Sequence, residues 1–163
     1  MLFRSAILFA KDISAFEDLE RKAVRVIIYE GVNKRNTLKE QVGKKGYAIG
    51  FEGLIDFITD RLPSNEIIEK AIRKNITVYP NLAIRELVAN AIIHQDFSVK
   101  GSSPMIEVFS DRIEVTNPGI PLIDTLRFID HSPESRNEKL ANYMRKVGIC
   151  EERGSGIDKV IHE

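Results

Sequence analysis

Apolar residues change their spacing several times along this chain of 163 residues, and each change marks an element. Ser5–Phe9 is a short apolar run of extended character. Arg21–Tyr29 gathers Val24, Val26, Ile27, Ile28 and Tyr29, a strand composition. Gly31–Gly46 is polar and lysine-rich, with Gly43 and Gly46 as turn formers, and reads as a solvated loop or sheet edge. From Phe51 to Leu62 the period becomes helical, with Leu54, Ile55, Phe57 and Ile58 on one stripe and Pro63 as its stop. Glu66–Lys74 reads as further helix, and Ile76–Tyr79 as strand, because Pro80 biases Tyr79 toward an extended conformation.

Asn81 is a candidate cap for the strongest helix, Ala83–Ile93, whose buried side holds Ile84, Leu87, Val88, Ala91 and Ile92. Met105–Phe109 and Arg112–Thr116 alternate around a Ser110–Asp111 turn, which predicts a β-hairpin that ends at Asn117-Pro118-Gly119. Asn137–Val147 predicts another helix, with Leu140, Tyr143, Met144 and Val147 as its stripe and Gly148 as its terminator. After Gly154-Ser155-Gly156, Ile157–Ile161 opens a further helical pattern.

These elements predict an α+β fold in which helices, including 83–95 and 137–147, cover one side of a mostly antiparallel sheet. The strands of residues 1–62 do not obviously close a core by themselves. That stretch is expected to be the partial α/β tail of a domain, followed by a second domain over 63–163, within a larger protein that extends past both ends. An unpaired strand edge in the first stretch would recruit a second copy, so a homodimer is expected.

Charge adds one restriction. Net charge is zero, but residues 1–75 carry 14 Lys/Arg against 11 Asp/Glu, and residues 76–163 carry 10 against 13. Neither half has the basic excess of a non-specific DNA binder. A single cysteine, Cys150, excludes an internal disulfide and reads as a small core residue, and three scattered histidines give no metal-ligand spacing. The apolar start is too short for a signal peptide, nothing approaches a membrane span, and the expected location is the cytoplasm.

Candidate chemistry begins on the 83–93 helix. Glu86, Asn90 and His94 recur every four residues and so form one row. Glu86 suits a general base that orients water. The Asn90 carboxamide suits a magnesium ion held mainly by phosphates and waters. The alternative is a row of polar residues at the core margin. Gly154 and Gly156 ahead of a helix would let a phosphate approach backbone N–H groups, or simply make a turn. Asn117-Pro118-Gly119 is a ligand-side turn or an ordinary one. Arg136 is a phosphate ligand or a surface partner of Glu134 or Glu138.

In their order along the chain, these stretches resemble the divergent GHKL-type ATPase domain of RecG-like "ATP-dependent DNA helicase" proteins and predicted transcriptional regulators. The matching runs are Ala83–Ser98, Asp111–Gly119, Ser135-Arg136-Asn137 and Glu152–Ile157. Ala6–Lys11 resembles a stretch in the closing part of the Schlafen-type AlbA-like domain that precedes it in that family, and Gly53–Phe57 resembles the segment that links the two domains.

The resemblance implies a two-layer Bergerat-like sandwich over 63–163 and an AlbA-like tail over 1–62. It implies ATP and magnesium as ligands, and DNA as a partner of the full-length protein. Glu86 would be the water-polarising acid and Asn90 the magnesium-linked asparagine. Asn117 and Gly119 would lie at the adenine side, with Asn117 where those ATPases carry aspartate. Gly154 and Gly156 would lie at the phosphate side. No Gly-x-x-x-x-Gly-Lys-Ser/Thr motor loop is present in the sequence. The competing expectation is an interaction or dimerisation module that has lost ATP.

Overall fold

The structure, a computed structural model, describes residues 2–62, 64–69, 72–77, 79–122 and 135–150. The elements are α1 (Leu2–Phe9), β1 (Arg25–Tyr29), β2 (Thr37–Val42), α2 (Tyr47–Thr59), β3 (Ser64–Glu69) and β4 (Ile72–Thr77). They continue with α3 (Asn81–His94), β5 (Met105–Val108), β6 (Ile113–Thr116) and α4 (Glu138–Lys146).

Four strands form one sheet in the order β2-β1-β5-β6, and β3-β4 is a separate antiparallel pair. The main sheet is mixed rather than mostly antiparallel. β1 runs parallel to β5, with Val26 beside Ile106 and Ile28 beside Val108. Parallel neighbours need a long crossover, and residues 47–94 with α2 and α3 supply it. Two of the four strands come from residues 1–62 and two from the stretch beyond.

The helices cover one face. Val26 and Ile28 of β1 and Ile106 and Val108 of β5 enter one buried cluster with residues of all four helices, among them Ile7, Phe51, Ile84, Val88 and Met144. The opposite face carries a smaller cluster of Ile27, Tyr29 and Phe109. Alternation along the strands produces this division, since neighbouring side chains point to opposite sides.

Three expectations change. Ser5–Phe9 lies in α1, where Ile7 and Leu8 are buried. The stretch predicted as helix over Glu66–Lys74 falls instead on the antiparallel strand pair β3–β4. Pro80, not Asn81, caps α3, and its carbonyl accepts from the Ile84 N–H at 3.2 Å. The lysine-rich stretch became the fully exposed edge strand β2. α4 stops as expected: Gly148 takes φ +73°, its N–H donates to the Arg145 carbonyl, and the Ile149 N–H donates to that of Met144. Those two bonds satisfy carbonyls that the last turn leaves open.

Candidate functional site

Helix α3 places the sequence candidates along one line. Glu86 is 6 % exposed and Asn90 is half-buried. The turn after β6 is fastened to the end of this helix, because the Asp96 N–H donates to the Pro118 carbonyl at 2.8 Å. Asn117 and Gly119 therefore sit beside the C-terminal end of the helix that carries Glu86 and Asn90. Gly119 is required on two grounds. Its φ is +114°, and a Cβ there would lie 2.7 Å from that of Asp96.

Asp96 is the hub of this junction, and its side-chain role was missed from sequence. Its Oδ1 accepts from the Ser98 N–H at 2.9 Å and from the Ser98 hydroxyl at 2.6 Å. Its Oδ2 accepts from Arg136, whose other nitrogen donates to the Ile120 carbonyl. The Ser98 donors, ahead of Arg136, hold the Asp96 carboxyl below its ordinary range. Asp-x-Ser directly after a helix was a readable signal for such a turn. Among the described residues Arg136 pairs with Asp96 and not with Glu138; Glu134 lies outside the described residues.

Asn137 closes the same junction. Its Nδ2 donates to the carbonyls of Ile93 and Gln95, both at 2.7 Å, at the end of α3 where helical carbonyls lack partners. α4 then runs back along α3. By its end, Cys150 feels the charge of Glu86: burial first, and Glu86 second, push the thiol pKa up. Gly154 and Gly156 follow Cys150 in sequence and lie outside the described residues together with Glu152 and Arg153.

Behind the junction a buried polar network holds α2 to α3. Gln95 is fully buried and donates to the Tyr47 hydroxyl at 2.9 Å and the Ile92 carbonyl at 2.9 Å. Tyr47 donates to the Lys22 carbonyl at 2.6 Å, and the Lys22 ammonium donates to the Val99 carbonyl at 2.6 Å. Burial raises the Tyr47 pKa and lowers that of Lys22. His94 is pushed down by burial and then by Arg136. Ser135 Oγ and Arg136 Nε are buried with no hydrogen-bond partner. Among the described residues no group of three or more His, Cys, Asp or Glu could hold a metal by itself.

Comparison with known proteins places the second half. Residues 101–163 match the family described as "Putative ATP-dependent DNA helicase recG C-terminal". That match takes in the β5–β6 hairpin, the Asn117-Pro118-Gly119 turn, α4 and the Gly154–Gly156 stretch. Over these residues the chain is similar to that family. No curated protein matches the chain. Among solved structures, the DIP2311 protein from Corynebacterium diphtheriae aligns with a TM-score of 0.74 and 24% identity over 88% of this chain. It shares the fold. This chain spans 30% of that chain's length. Among the described residues no helix is long and apolar enough to cross a membrane.

Proposed function

We propose that this chain carries a nucleotide-binding-type regulatory domain of a cytoplasmic, DNA-associated transcriptional regulator, and that it binds ATP with magnesium weakly and turns it over very slowly. The observation that carries the reading is the placement of Glu86 and Asn90 on a helix whose end is fastened to the Asn117-Pro118-Gly119 turn. Two further features support it. The Glu86 charge reaches the Cys150 thiol, which precedes Gly154 and Gly156 in sequence, and a RecG-like family matches residues 101–163. An AlbA-like stretch over 1–62 and an ATPase-type stretch over 63–163 that share one sheet, DNA contact through the full-length protein, and a homodimer belong to the same proposal.

The residues present fit such a ligand in part. With no acidic cluster among the described residues, magnesium would arrive with the phosphates and keep several waters, and the Asn90 carboxamide would add one oxygen ligand. When bound, the metal supplies charge neutralisation at the phosphates. The unpaired Ser135 Oγ and Arg136 Nε are polar atoms that a ligand could satisfy. Glu86 would orient a water, and Asn117 would accept from adenine through its amide oxygen. Replacing a carboxylate acceptor by an amide forfeits one charge-assisted bond, about 1.5–3 kcal/mol, or roughly tenfold to a hundredfold in affinity.

One observation favours the rival reading of a non-catalytic interaction module. The Arg136 guanidinium, a candidate phosphate ligand, is already tied to Asp96 and Ile120. Steady-state phosphate release from wild type and Glu86→Ala tests the catalytic part. Equal, near-background rates are expected. Robust release that disappears in the variant would establish a working ATPase and overturn the reading of Asn117.

A further inference from the structure

A cavity of about 510 Å³ opens between the β1–β2 edge and α2; Ile92 of α3 also lines it, and Glu86, Asn90 and Asn117 do not. Val26, Leu54 and Phe57 give it an apolar interior. At its rim stand Val42 and Ile49, which are 45% and 47% exposed, large apolar side chains left facing solvent. Its volume lies in the range of small-molecule pockets, about 300–1,000 Å³.

Gly53 shows that the open wall is not forced by packing. It occupies the middle of α2 and lines the cavity. A Cβ there would meet nothing within 4 Å, and its φ is not in the positive range. Neither sterics nor backbone conformation calls for glycine. Glycine in a helix interior nevertheless costs about 1 kcal/mol relative to alanine. What glycine does provide is room against the face of the helix.

The charge at the mouth has one sign. Lys44 and Lys45 line the cavity and are exposed. Among the described residues no salt bridge engages either ammonium. Asp12 is the acid that feels Lys44, at a distance.

We propose that this cavity is a binding site for a small anionic amphiphile, with an apolar body between β2 and α2 and its anionic head at Lys44 and Lys45. Its cations fix the sign of the head group, and its depth between strand and helix fixes the apolar body. Glu86, Asn90 and Asn117 take no part, so the site stands or falls apart from the nucleotide reading.

Calorimetric titration with dodecanoate, kept below its micelle concentration, tests it. Wild type is expected to bind one equivalent saturably, and dodecanol, which lacks the charge, at least about tenfold more weakly. Lys44→Ala with Lys45→Ala should weaken dodecanoate by a similar factor. Gly53→Leu, which fills the cavity, should abolish saturable binding with an unchanged or raised melting temperature. The surface lysine pair keeps the test decisive even where Gly53→Leu fails to fold. Absence of saturable binding to wild type, equal binding of dodecanol, or full binding by the lysine variant would overturn the proposal. So would a concentration-dependent dimer that Gly53→Leu disrupts, because a second copy would then fill the cavity.

Discussion

At the end of α3, Asp96, Arg136 and Gly119 are committed to one another, and Asn137 to the carbonyls of Ile93 and Gln95. Between β2 and α2, Gly53, Lys44 and Lys45 face open space. Both regions contain the residue types that suggest a ligand, glycine and cations, and the sequence alone ranks the first far above the second. Their environments reverse part of that ranking. Arg136 pairs with Asp96 and the Ile120 carbonyl, and Gly119 is pressed against Asp96. Lys45 and Gly53 are held by nothing comparable. A glycine required by the fold and a glycine the fold does not need look identical in a sequence, and only their neighbours separate them.

The same substitution should therefore have opposite signs in the two places. Gly119→Ala forces a side chain into a positive φ and toward the Asp96 Cβ, and should cost about 1–3 kcal/mol. Denaturant titration with an unchanged slope would measure it. Asn137→Ala should come next, at about 1–2 kcal/mol, because it frees the carbonyls of Ile93 and Gln95 at a partly buried helix end. Gly53→Ala should stabilise by about 0.5–1 kcal/mol through helix propensity, a rise of about 2–4 °C in melting temperature per kcal/mol for a chain of this size. A destabilised Gly53→Ala would erase the contrast between the two regions.

The smallest expected effect is a pH dependence at the junction. Burial, then Arg136, lowers the pKa of His94 below its ordinary value of 6.5. The unfolded chain then binds more protons than the folded one in the window just below that value. His94's share of stability is therefore complete above about pH 6.5 and declines as pH falls toward its lowered folded pKa. Asp96, also lowered, adds a second loss further down, as pH falls from the ordinary carboxylate value toward its own folded pKa. Melting temperature measured from pH 7.5 to 5.5 should fall less in His94→Gln than in wild type. Parallel curves would remove His94 from the cause.

Legibility in the sequence followed the range of the interactions. α3, the β5–β6 hairpin and α4 with its Gly148 stop were readable, since period, turn residues and caps are local. β3–β4 was not. Ile67, Ile68, Ala71 and Ile72 fit a helical spacing, and no glycine, proline or asparagine marks a turn between the strands; pairing overrode the pattern. The parallel contact of β1 with β5 joins residues 80 apart, from Arg25 to Met105, and leaves no local trace. The spacing of Glu86 and Asn90 put them in one row of a helix, and both lie on α3. Asp96 as the partner of Arg136 was not readable, because 40 residues separate them. The β2–α2 cavity has no motif at all; it arises from what Gly53 omits.

Titration of the protein with ATP, with and without magnesium, in wild type and Asn90→Ala is the most direct test of the nucleotide reading. The expected result is weak, saturable, magnesium-dependent binding that Asn90→Ala abolishes while the melting temperature of the unliganded protein stays unchanged. Binding that ignores both magnesium and Asn90, or no binding by wild type at concentrations a hundredfold above those of an ordinary ATP site, would contradict it and leave an interaction module in its place.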